Sequence, residues 1–134
     1  MKRVCFIVIA ISLAIINISF AEEISIPLQQ GWNLINSPLD LEDHSITGII
    51  DPMLEKVKSM WKWDNYIWSV FIPNVYKASL ESYVTSKGFD LFYSLNAGEG
   101  FWVNATESTV LEISGDYPED GSLKITSPGW NLLG

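Results

Sequence analysis

The chain has 134 residues, a hydrophobic content of 48%, a single cysteine and a formal net charge of −8. That length suits one domain with a packed core, and the negative charge excludes a nucleic-acid binder that tracks phosphates and disfavours anionic membrane surfaces. The acids are scattered rather than run together, the pattern of a solvated exterior.

Met1-Lys2-Arg3 is a short basic start, Val4 to Ile16 is an apolar run broken only by Ser12, and Ser19-Phe20-Ala21 offers small residues at the positions a signal peptidase reads. This is the pattern of a secretory signal peptide, with cleavage expected after Ala21. The run falls short of the roughly 20 apolar residues that a membrane-spanning helix needs, so no membrane insertion is expected once the leader is removed. Cys5 lies at the front of the run, far from the cleavage point where a lipid-modified cysteine would have to be. Its removal leaves no cysteine, so the exported domain must be stabilised by packing without disulfides. Six lysines then remain against sixteen acids, a net charge of −10.

Ile24, Ile26 and Leu28 alternate with Ser25 and Pro27, which reads as an edge strand because Pro27 cannot donate to a ladder. Gln29-Gln30-Gly31 is expected to turn the chain back into a second strand, Trp32 to Ser37, completing a hairpin. Ser45 is a candidate N-cap for a short helix whose Ile46, Ile49, Ile50 and Met53 share a face; Gly48 weakens it and Pro52 limits it. From Val57 the period becomes two, with Val57, Ser59, Trp61 and Trp63 on one side and Lys58, Met60 and Lys62 on the other.

Asp64-Asn65 is a good two-residue turn into Tyr66 to Ile72. A two-residue loop sets Trp63 opposite Tyr66, whereas a four-residue loop sets Trp63 opposite Trp68 and Trp61 opposite Val70; both keep Trp61, Trp63 and Trp68 on one face. Pro73 to Ser86 reads as a loop, although Leu80, Tyr83 and Val84 fit one helical turn. Phe89, Leu91, Tyr93 and Leu95 alternate, a glycine turn follows, and Phe101 to Ala105 and Thr109 to Ile113 read as further strands. Ser122 to Thr126 with Trp130 to Leu133 reads as a last hairpin. The sum is a mainly β domain, an antiparallel sandwich or open barrel of about nine short strands with one short helix.

One phrase occurs twice, as Gly31-Trp32-Asn33-Leu34 and Gly129-Trp130-Asn131-Leu132. The organisation that follows is a leader over residues 1–21, a β module over 22–120, and over 121–134 either a closing hairpin or the start of a second, truncated repeat. In each copy the Trp and Leu share a face expected to enter a core.

These phrases, with Ser59-Met60-Trp61-Lys62-Trp63-Asp64, Trp68, Lys87-Gly88-Phe89 and Gly98-Glu99-Gly100-Phe101-Trp102-Val103-Asn104 between them, resemble a β module of exported and cell-surface bacterial proteins. In such proteins the module is often repeated or appended to other extracellular domains. The resemblance covers nearly all of the chain after the leader and brings no catalytic residues with it.

Catalytic chemistry finds little to work with. His44 is the only histidine, there is no cysteine after the leader, and multi-histidine or paired-cysteine zinc sites are therefore excluded. Asp64, Asp90, Glu99 and Glu112 could supply the two carboxylates of a glycosidase, but no spacing nominates a pair. Asp116 to Gly121 concentrates three acids without the spacing of an EF-hand and reads as a solvated turn. Asn104-Ala105-Thr106 has the form of a glycosylation sequon and carries no weight in a bacterial setting. No enzyme, metal or cofactor is expected.

Two readings of the aromatic hairpin compete. Trp61, Trp63 and Trp68 could form a flat platform for sugar rings or a partner protein, with Trp102 the best single candidate for an exposed ring. Against this, Lys58 and Lys62 alternate with the tryptophans and lysines belong in water, so the tryptophan face is expected to point inward as core. The sequence thus predicts a non-catalytic structural or adhesive module, secreted or held at the cell surface, whose partners are other extracellular modules or cell-surface components. The alternative is a carbohydrate-binding module that uses Trp61, Trp63, Trp68 and Trp102.

Overall fold

The computed structural model describes residues 21–118. The leader through residue 20 and the expected hairpin or second repeat over 121–134, with Trp130, lie outside the described residues. The domain is mainly β, with 48% of residues in strands and 22% helical, and its eight described strands form two sheets beside two short helices.

In chain order these are β1 (Glu22–Leu28), β2 (Gly31–Asn36), β3 (Asp40–Leu41), α1 (Ile46–Ile50), β4 (Val57–Asp64), β5 (Ile67–Phe71), α2 (Lys77–Lys87), β6 (Asp90–Leu91), β7 (Gly100–Ala105) and β8 (Thr109–Asp116). A 3-10 segment, Asp51–Lys56, links α1 to β4. The smaller sheet runs β1-β8-β3 and the larger β2-β7-β4-β5-β6.

The first hairpin does not form. β1 pairs with β8, Ile26 opposite Leu111, while β2 pairs with β7, Leu34 opposite Trp102. Gln29-Gln30 carries the chain from one sheet to the other, and Gly31 takes φ 95, a value that favours glycine. Asn33 braces this corner: its carbonyl oxygen accepts the Gln29 N–H at 2.9 Å and its amide donates to the Gln29 carbonyl at 2.8 Å. β1 is an edge strand, as Pro27 requires.

The main core lies between the two sheets. Leu28, Leu111 and Ile113 from the small sheet meet Met60, Phe101 and Val103 from the large one, and α1 closes the layer with Ile46, Ile49 and Ile50. Met53, in the 3-10 segment beyond α1, extends this stripe as expected. Ser45 caps α1, its hydroxyl accepting the Gly48 N–H at 3.1 Å. Asp43 accepts the Ser45 N–H at 2.8 Å, and its bonds to the Ser45 hydroxyl and backbone hold its carboxyl below the usual aspartate range.

Two further expectations fail around α2. The stretch read as a loop forms an eleven-residue helix, with Gly88 in the left-handed conformation at its end. Its stripe is thin, only Leu80 and Val84 being buried, which is why the sequence pattern is faint. The helix is a crossover, and it makes β5 and β6 parallel in an otherwise antiparallel structure. β6 is two residues long; beyond it Phe92 and Leu95 are buried while Tyr93 is exposed, so the alternation expected from Phe89 to Leu95 breaks.

Candidate functional site

The inner face of the large sheet belongs to the main core, and the described residues cover its outer face only in part. α2 lies over the β5 and β6 end, where Val70, Leu80 and Val84 form a second small core with Trp61, Phe89 and Leu91 packed on it. The remainder of the outer face, on β2, β7 and β4 with Trp68 of β5, carries the tryptophans.

Register places them there. Trp61 pairs across the sheet with Val70 on one side and Trp102 on the other, Trp102 pairs with Leu34, and Trp63 pairs with Trp68. Directly opposed residues share a face, so these side chains form one surface. The turn is Asn65-Tyr66, with φ 45 and 67 at its two residues, closed by Asp64 opposite Ile67. It falls one residue later than the expected Asp64-Asn65 turn, and the pairing obtained is the one expected from the longer loop. Two successive positive φ values give the type I′ geometry that matches strand twist.

The expectation that the tryptophans point into the core is overturned for the main core, Trp61 alone packing on the second small one, and Lys62 shows why. Lys62 lies on the inner face with only 7% of its surface exposed. Its ammonium meets Glu99 Oε2 at 3.0 Å, donates to the Ser94 carbonyl at 3.2 Å and sits 5.2 Å from the Phe92 ring centroid. A lysine with its donors satisfied in this way can remain inside. A bulge between Val57 and Ser59 also shifts the alternation, so that Val57 enters the main core although Trp61 and Trp63 do not.

All four tryptophans singled out by sequence, Trp61, Trp63, Trp68 and Trp102, come together on the outer face. Trp61, Trp68 and Trp102 line an open groove of about 530 Å³ with Trp32 and Phe89, and among the described residues only these aromatic side chains form its wall. Trp63 stands beside the groove against Trp68, ring centroids 5.2 Å apart. Trp32 is the residue that sequence reasoning missed: expected in a core, it is 57% exposed, as Leu34 beside it is 52% exposed. The signal that locates it is pairing rather than composition, because β2 against β7 puts Trp32 next to Trp102.

The surface is not a flat platform. Trp32 meets Trp102 at 86°, Trp61 meets Trp68 at 78°, and Trp63 meets Trp68 at 69°, all edge to face. Trp61 also stands at 81° to Phe89. Rings arranged this way brace one another and leave ridges with an apolar trough between them. Trp61 Nε1 donates to the Ser59 hydroxyl at 3.0 Å, so that indole N–H is spent within the sheet.

Neither His44 nor any acid weighed for chemistry lines the groove. His44 Nδ1 lies 3.1 Å from the Leu95 carbonyl and Nε2 lies 3.5 Å from Asp40, contacts that tie the α1 approach to the loop before β7. Glu99 is occupied by Lys62 and by the Asn96 N–H at 2.8 Å, and Glu112 accepts from Ser25 at 2.6 Å. Among the described residues no three His, Cys, Asp or Glu side chains converge as metal ligands, and no helix is long and apolar enough to cross a membrane. No protein-family profile, curated protein or solved structure matches the chain.

Proposed function

We propose that the chain is a non-catalytic structural or adhesive module of an exported bacterial cell-surface protein, and that it adheres through the tryptophan groove. The observation that carries this reading is the partly uncovered outer face of the large sheet. A disulfide-free domain leaves Trp32 and Leu34 in water while a lysine occupies its interior. A contiguous exposed apolar patch marks a place of contact, and aromatic side chains dominate such contacts. The leader read in residues 1–21 and the resemblance to surface modules support a location that is secreted or at the cell surface. The partners that fit are other extracellular modules or cell-surface components that present an apolar ridge.

A carbohydrate-binding module is the second reading, favoured by the exposed Trp32 ring beside Trp102. It fits less well, because among the described residues the groove wall offers sugar hydroxyls no polar groups beyond indole N–H donors. Labelled protein applied to cells of the producing bacterium separates the cases. The expected result is saturable binding that Trp32→Ala with Trp102→Ala abolishes while circular dichroism is unchanged, and that glycosidase treatment of the cells leaves intact. Equal binding by the double variant would sink the groove as the adhesive surface, and loss on glycosidase treatment would favour a glycan.

A further inference from the structure

Among the described residues four strands end the two sheets, and three of them are guarded. β1 carries Glu22, Glu23 and Pro27, while β3 and β6 are two residues long and each holds an aspartate, Asp40 and Asp90. Charge, proline and short length are the devices that keep a sheet edge from pairing with another chain. β2 has none of them. Its six residues, Gly31–Asn36, include no charge and no proline, in a chain of net charge −8.

Its outward backbone groups can be identified. Ser37 donates its N–H to Glu99 and accepts at its carbonyl from Gly98, so Ser37 addresses the β7 side. Alternation along the strand then turns Gly31, Asn33 and Ile35 toward β7 and leaves the N–H and C=O groups of Trp32, Leu34 and Asn36 on the open edge. The side chains of Trp32 and Leu34 stand exposed above that same edge.

We infer that β2 is a self-association strand, pairing antiparallel with β2 of a second copy of this chain about a two-fold axis normal to the sheet. That axis keeps each face on its own side, so the two tryptophan grooves lie together on one continuous sheet. With Leu34 opposite Leu34 of the other copy, Trp32 falls opposite Asn36, and all three outward residues of each strand are satisfied, two hydrogen bonds to each opposed pair. A neutral strand that is complementary to itself needs no oppositely charged partner, and the isologous contact closes at two copies instead of growing. This inference goes beyond adhesion by the groove and does not depend on it.

The test is the solution mass of the full chain, expressed in an exporting bacterial host and purified, measured by sedimentation from low micromolar to near-millimolar concentration. Twice the monomer mass is expected at the upper end, with Leu34→Lys returning it to the monomer mass and Val110→Lys, an exposed substitution on β8, leaving the dimer in place. Amide exchange at Trp32, Leu34 and Asn36 should slow as concentration rises, a readout that needs no variant. A wild-type monomer throughout, a Leu34→Lys dimer, a Val110→Lys monomer, larger open-ended assemblies, or exchange at these amides that ignores concentration would each overturn it.

Discussion

The two faces of the large sheet are both rich in apolar residues, yet among the described residues only one is fully covered. The inner face holds Met60, Phe101, Val103 and a lysine, whereas the outer face holds Trp32, Trp61, Trp63, Trp68 and Trp102. Each face is determined by what covers it. The inner face meets a second sheet and α1, and a lysine is tolerated there because Glu99 and the Ser94 carbonyl receive it. Among the described residues the outer face meets only α2, which is one helix wide and reaches as far as Trp61. Hydrophobicity alone does not tell these faces apart, and the exposure of Trp32 and Leu34 on the less covered one is the argument for contact at the surface.

Substitutions that act on one face and spare the other sharpen this comparison. Phe101 is buried on the inner face against Phe92, with ring centroids 6.1 Å apart. Phe101→Ala should cost about 3–5 kcal/mol in a denaturant titration, enough to leave a marginal domain largely unfolded. Lys62→Ala strands Glu99, whose side chain is only 13% exposed, and should cost about 3 kcal/mol. Lys62→Met combined with Glu99→Gln should recover part of that loss, because no unpaired charge is left inside. On the outer face, Trp32→Ala loses an edge-to-face contact at a largely exposed site and should cost no more than about 1 kcal/mol. A Trp32→Ala loss as large as that of Phe101→Ala would return the outer face to the core and break the comparison.

Much of the fold is legible in the sequence because local chemistry fixes it. Ser45 as N-cap, the α1 stripe ending in buried Met53, the β4–β5 hairpin and the strand around Leu111 and Ile113 all follow from caps, periods and turn residues. The unread parts are those decided at long range. Whether β1 pairs with β2 or β8 depends on where Gln29-Gln30 sends the chain, and no short-range signal distinguishes a tight turn from a passage between sheets. α2 hides because a helix that covers a single strip of sheet needs only Leu80 and Val84. The grouping of Trp61, Trp63 and Trp68 is visible from an even-numbered turn, but which way that group faces is not. That depends on Lys62 finding Glu99, 37 residues away.

The central claim, that the tryptophan face is where this module makes contact, is tested most directly by hydroxyl-radical footprinting of the protein free and bound to the bacterial cell surface. The account predicts that Trp32 and Trp102 are oxidised readily in the free protein and protected on binding, while Met60 is protected in both states. Oxidation of Trp32 and Trp102 that is slow in the free protein, or unchanged when the protein is bound, would contradict it.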